Sequence, residues 1–136
     1  MSTKATKTEA AEPEINEQEL EIAEQEATKE DANCYTFEFP TPFEFEGESY
    51  DKLSFDFGAL TAADSLAIEA ELTAIGKPAI VPEFSGDYLI RMAMRACTDR
   101  TSKNLKIGID TFMALPMAAY VKIRGKARSF LLRAGS

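Results

Sequence analysis

The chain has 136 residues, room for one domain with a modest core, and a formal net charge of −8. It has no His and only two Cys. Imidazole metal sites and His-based acid–base catalysis are therefore excluded, and a disulfide scaffold is not on offer. No run of about 18 apolar residues occurs, so no membrane span is predicted.

The net charge hides an asymmetry. Residues 1–33 carry three Lys and ten acids, a net −7, whereas residues 87–136 carry ten Lys or Arg and three Asp, a net +7. Residues 34–57 and 58–86 are also acidic, at −5 (one Lys, six acids) and −3 (one Lys, four acids). The molecule has an acidic front and a basic back. The basic end reads as a solvated helical face. An acidic front would repel phosphate, so no nucleic-acid partner is expected.

Residues 1–33 are poor in aromatics and rich in Glu, Lys, Ala and Thr. They offer too little apolar surface to offset their ordering entropy. They are predicted to be a disordered acidic tail, with Ile15, Leu20, Ile22 and Ala23 as a weak helical stripe. No apolar core of a signal peptide occurs here, so a cytosolic, reduced protein is expected.

Residues 34–57 read as strand. Tyr35, Phe37 and Phe39 share one parity, as do Phe43 and Phe45, and then Leu53, Phe55 and Phe57. Glu38, Glu44, Lys52, Ser54 and Asp56 fall between them, which places rings on one face and charge on the other. "PTP" at residues 40–42 interrupts the first strand, and residues 46–49, "EGES", hold the hairpin turn. A lone hairpin is marginal in water. Its aromatic face must pack on helices or meet another chain.

Residues 61–75 read as a helix capped by Thr61 with Asp64 as the acidic partner, and Leu66, Ala70, Leu72 and Ile75 as its buried side. Gly76 and Pro78 end it. A second helix is predicted from about Ser85 to Thr98. Leu89, Met92, Ala93, Ala96 and Cys97 face inward, and Arg91 and Arg95 lie four apart on the polar side. Asp110 can cap a short helix, and Pro116 suits the first turn of a final one. There Tyr120, Ile123, Ala127, Phe130 and Leu131 form a stripe, with Lys122, Arg124, Lys126 and Arg128 on the other face. Met92, Met94, Met113 and Met117 fill core gaps, an adaptable binding surface being the alternative.

No residue set supports catalysis. Ser and Thr lack a His partner, neither Cys sits in an activating motif, and there is no phosphate-binding glycine loop. We expect no enzyme, no cofactor and no metal. Segregated charge, an aromatic strand face and an acidic tail point instead to a binding module.

The order of these elements is similar to a known group. A strand-rich start, "FEFPTPFEFEGESYDKLSFDFGALTAADSLAIEAEL", leads through "YLIRMAMRA" to "LPMAAYVKIRGKARSFLL". This resembles the small tail assembly chaperones of long-tailed bacteriophages over about residues 35–132. The matching positions are Pro40 or Pro42, Gly47, Leu53 and Phe55, Leu60 with Asp64, then Leu115, Val121, Phe130 and Leu131. Where the family often has an Asp after that Leu, this chain has Ala118 and Ala119.

The resemblance implies a chaperone that coats the tape measure protein, helps recruit tail tube subunits, and is absent from the mature virion. It also implies a homo-oligomer in the host bacterial cytoplasm, and often a longer form made by frameshifting. A structural head–tail or tail completion component, or a small nucleic-acid-binding protein using the basic C-terminal helix, is the alternative. The expected fold is α+β: a hairpin packed on about three to four helices over residues 34–132, between the tail of residues 1–33 and a short end, 133–136. Tyr35, Phe37, Phe39, Phe43 and Phe45 are candidate client or inter-subunit contacts, unless they are core. Arg91, Arg95, Lys122, Arg124, Lys126 and Arg128 are the candidate basic contacts. Acidic front against basic back suggests a head-to-tail array that salt weakens.

Overall fold

The computed structural model describes residues 33–135. The predicted acidic tail therefore lies outside the described residues except for Asn33. Strands β1 (Cys34–Phe45) and β2 (Glu48–Asp56) form an antiparallel two-stranded sheet. Four helices follow, α1 (Ala62–Ala74), α2 (Gly86–Ala96), α3 (Ile109–Met113) and α4 (Met117–Ala134). The fold is α+β, with one face of the hairpin on a helical layer. Helix α4 includes Arg133 and Ala134, which the sequence reading assigned to a short tail.

The hairpin turn is tighter than "EGES". Phe45 pairs with Glu48, so Glu46 and Gly47 alone make the loop, both with positive φ (51° and 81°). That is the two-residue geometry whose twist matches the strands; Gly47 adopts it freely and Glu46 at some cost. The prolines do not end β1. Pairing runs Glu38 with Lys52, then resumes at Phe43 with Tyr50, so residues 39–42 oppose Asp51 alone. Proline has no N–H for a ladder, and the strand bulges around both. The bulge also shifts the phase of β2: Tyr50 and Leu53 are both buried with Asp51 and Lys52 exposed between them. Strict alternation leaves Tyr50 out of the core. The far edge of β2 is covered: Phe55 bridges Cys97, the Thr98 amide donates to the Ser54 carbonyl at 2.9 Å, and the Ser54 amide donates to Asp99.

Helix α1 starts with the predicted capping box, the Asp64 carboxylate accepting from the Thr61 amide at 2.8 Å. It ends in a Schellman arrangement. Gly76 has φ 78°, its amide donates to the Thr73 carbonyl, and the Lys77 amide reaches the Leu72 carbonyl at 2.8 Å. The buried side differs from expectation. Ile68 and Leu72 are buried, while Leu66, Ala70 and Ile75 face solvent. The inward face is completed by Asp64 and Glu71, which bond arginines of α2, so polar residues fix the helix's rotation.

Helix α2 is central, packing on α1, α3, α4 and β2. The Ser85 hydroxyl caps it by accepting from the Tyr88 amide at 3.0 Å. Leu89, Met92, Ala93, Ala96 and Cys97 are buried as predicted. Gly108, not Asp110, occupies the cap of α3, and Asp110 sits in its first turn. Pro116 precedes α4 at the cap position. Ile123 and Ala127 of the predicted stripe are buried, Tyr120, Phe130 and Leu131 half-buried.

Candidate functional site

The aromatic strand face belongs to the core. Phe37, Phe39 and Phe43 are buried, and Tyr35 and Phe45 pack at the core's margin. Phe37 meets Phe39 edge-on at 5.0 Å, Phe39 stacks on Phe43 at 5.4 Å, and Phe43 contacts Phe45 and Tyr50. Tyr35 stacks on Phe55 at 6.3 Å. Burial pushes the Tyr35 hydroxyl's pKa up, by making its phenolate harder to solvate. Phe37, Phe39 and Phe43 bury their rings within this chain, which corrects the expectation of a client face for these three in favour of the core alternative; Tyr35 and Phe45 stay half-buried. The reason is length: the hairpin is long enough to roof α2 and α4, and a hairpin alone is too weak to leave its apolar face open.

The basic residues divide into two groups. Arg91 is 5% exposed, with Nε on Glu71 at 2.7 Å and Nη1 on Asp87 at 3.2 Å. Arg95 Nε bonds Asp64 at 2.8 Å. Both tie α2 to α1 and are not an open basic surface, which corrects the second expectation. Helix α2 is surrounded, so its "polar side" is an interface. Thr61 and Arg95 together hold the Asp64 carboxyl below its ordinary pKa, the Thr61 amide contributing most.

A pH dependence follows. Asp64 has a lowered folded pKa, so its stabilisation is present above the unfolded carboxylate value of about 3.9 and is lost as pH falls through the folded value. Asp64→Asn is expected to cost about 1 kcal/mol near neutral pH, the scale of a helix cap. The gap to wild type should begin to narrow near about pH 4 and close only below the lowered folded value. Urea unfolding of both proteins at two pH values checks this; a gap independent of pH would mean that the charge is not what counts.

The second group lies on α4. Lys122 and Lys126 are exposed, and Arg124 and Arg128 half-buried. Arg124 lies over the Tyr120 ring at 5.8 Å and Lys126 over Tyr35 at 5.3 Å. Arg128 lies over Phe84 at 5.1 Å and donates to the Glu83 carbonyl at 3.1 Å. Among the described residues none of these four cations meets a carboxylate. They are the expected basic contacts that remain open.

The exposed apolar residues are where sequence reasoning missed. Met92 is buried and Met94 half-buried, but Met113 and Met117 are 54% and 73% exposed. They rim a groove of about 390 Å³ lined by Gly86, Asp87, Ile90, Phe112, Leu115 and Tyr120. Phe84 and Val121 are exposed as well. The sequence signal was the clustering of Met113, Leu115 and Met117 around Pro116, where a helix break turns some apolar residues outward.

Cys97 is buried, which raises its thiol pKa to about 11 and keeps it protonated and unreactive. Among the described residues no three His, Cys, Asp or Glu gather as metal ligands would. No helix among them is long and apolar enough to cross a membrane. Comparison with protein-family models, curated protein sequences and solved structures returned no match.

Proposed function

We propose that this chain is a tail assembly chaperone of a long-tailed bacteriophage. It binds the tape measure protein, keeps it soluble, and helps recruit tail tube subunits in the host bacterial cytoplasm, without remaining in the finished particle. The observation that carries the reading is the exposed apolar set Phe84, Met113, Met117 and Val121 beside the α4 cations. A holdase needs apolar surface left uncovered in the free protein, and charge to keep the loaded complex in solution. The hairpin-then-helices order, with Pro40, Pro42 and Gly47 in and around the hairpin and Leu115 before the last helix, supports the same reading. Several copies along one extended client would gain from multivalency, so homo-oligomers fit this role.

Co-expression with the long helical protein encoded beside it tests the proposal. The expected result is that the client turns soluble and elutes with several copies of this chain. A client that stays insoluble and unbound overturns the reading.

One observation favours a second reading. Lys122, Arg124, Lys126 and Arg128 lie on one helix without carboxylate partners, as a phosphate-binding helix requires. Binding to random-sequence DNA that weakens steeply with salt would favour it. A structural head–tail component would instead be found in purified particles.

A further inference from the structure

The groove rimmed by Met113 and Met117 is built by three helical segments. Gly86, Asp87 and Ile90 come from the start of α2, Phe112 and Met113 from α3, and Met117 and Tyr120 from the start of α4. Its floor, Ile90 and Phe112, is buried. One end is closed by the Tyr120 hydroxyl, which lies so near Gly86 that an added Cβ there would come within 2.5 Å of it. The lining carboxylate, Asp87, is already held by Arg91. From Met117, the same side of α4 continues through Tyr120, Arg124 and Arg128, at steps of three and four residues that keep one helical face. Arg124, over the Tyr120 ring that lines the groove, and Arg128 one turn further along α4 thus continue from the groove's Tyr120 end without lining it, with no acid of their own among the described residues.

We propose that this groove receives one amphipathic α-helix whose apolar face enters between Met113 and Met117 and whose acidic flank lies along Arg124 and Arg128. The inference rests on the chaperone reading for the identity of the client, and names the place where a helix of that client sits. Three features select this occupant. Apart from Leu115, in the turn between α3 and α4, the lining residues are helical and none belongs to a strand, so they give an extended peptide no strand edge to pair with, while a helix brings its own hydrogen bonds. Methionines on the rim adapt to different apolar side chains, as a surface serving a long client of varying sequence must. The Arg124 guanidinium over Tyr120, and the Nη end of Arg128, whose Nε is given to the Glu83 carbonyl, remain to take carboxylates in paired hydrogen bonds.

The probe is a fluorescent synthetic helix of about 18 residues, roughly 27 Å long, with Leu at i, i+3, i+4 and i+7 and Glu on the flanks. A twin has Lys for Glu. Anisotropy is read with the full chain and with Met117→Glu, Met113→Glu, and Arg124→Glu with Arg128→Glu. Both Met positions are exposed, so these variants keep their cores. The Glu helix is expected to bind, the Lys helix at least about tenfold more weakly. Either Met variant should weaken the Glu helix by about tenfold or more, and the double Arg variant should invert the preference. Equal binding of both helices, or no loss in either Met variant, overturns the proposal. So does self-association that Met117→Glu abolishes and the peptide competes away, which would give the groove to a second copy. Binding that emerges only once Ile15, Leu20 and Ile22 are changed to Ser would give it to the chain's own N-terminal segment.

The same variants in co-expression separate the two claims. A client that co-purifies equally with wild type and Met117→Glu overturns the groove and leaves the chaperone. A client captured by neither, while wild type still binds the Glu helix, overturns the chaperone and leaves the groove.

Discussion

Phe55→Ala is expected to remove about 3–5 kcal/mol from the unfolding free energy, the range for deleting a buried phenyl ring. Phe55 is 1% exposed and lies where the hairpin meets the helices. Its ring stacks on Phe57 at 5.9 Å and Tyr35 at 6.3 Å, and meets Phe112 of α3 edge-on at 6.2 Å. Its backbone also bridges Cys97 at the end of α2, so the wall around it is fixed from two sides and collapses poorly. A site that cannot collapse keeps its cavity, which places the cost toward the upper end. Domains of this size have roughly 5–15 kcal/mol to lose, so the variant should be visibly destabilised in urea, with a large drop in midpoint and little change in slope. Phe84→Ala is the matched control. Phe84 is exposed and packs mainly under Arg128, so its loss should cost roughly 0.5 kcal/mol or less. Equal effects from the two would mean that the aromatic hairpin is not the core.

Arg91→Ala is expected to cost roughly 2–3 kcal/mol. Breaking a buried ion pair typically costs about 3–5 kcal/mol, because it leaves an uncompensated charge. Here the stranded partners, Glu71 and Asp87, have 40% and 36% of their side chains exposed, so water recovers part of the loss. The arginine also fills space between α1 and α2, which Ala leaves open. Arg91→Met should therefore restore much of the deficit, filling the space without a charge. A double-mutant cycle between Arg91→Ala and Glu71→Ala should return a coupling energy of about 1 kcal/mol or more. Arg91→Ala within about 0.5 kcal/mol of wild type would mean that the α1–α2 interface is held by Ile68 and Leu72 alone.

The sequence by itself determined the elements. Ring–acid alternation in residues 35–57 marked both strands, Thr61 with Asp64 and Gly76 with Pro78 marked both ends of α1, and Ser85 marked the start of α2. Those signals are local: a cap, a turn or a period-two pattern is written in residues a few positions apart. The four cations of α4 were legible for the same reason, since helical spacing alone keeps them off the stripe of Ile123 and Ala127, Lys122 and Lys126 on one flank and Arg124 and Arg128 on the other.

Tertiary structure alone decided which face of each element is inside. The strand aromatics could serve a core or a partner, and the helices available to cover them settled the matter for the core. The bulge at residues 39–42 turned Tyr50 inward, which strict alternation cannot foresee. On α1, Asp64 and Glu71 point inward and Leu66, at 64% exposed, points out. Hydrophobicity ranks residues one at a time, whereas Arg91 and Arg95 reward a carboxylate at the interface more than solvent penalises an exposed Leu. The groove was the least legible feature. Met113 and Met117 look like core residues until the break at Pro116 and the close approach of Gly86 to Tyr120 leave them on its rim. That arrangement depends on three helices meeting, and no short stretch of the sequence contains it.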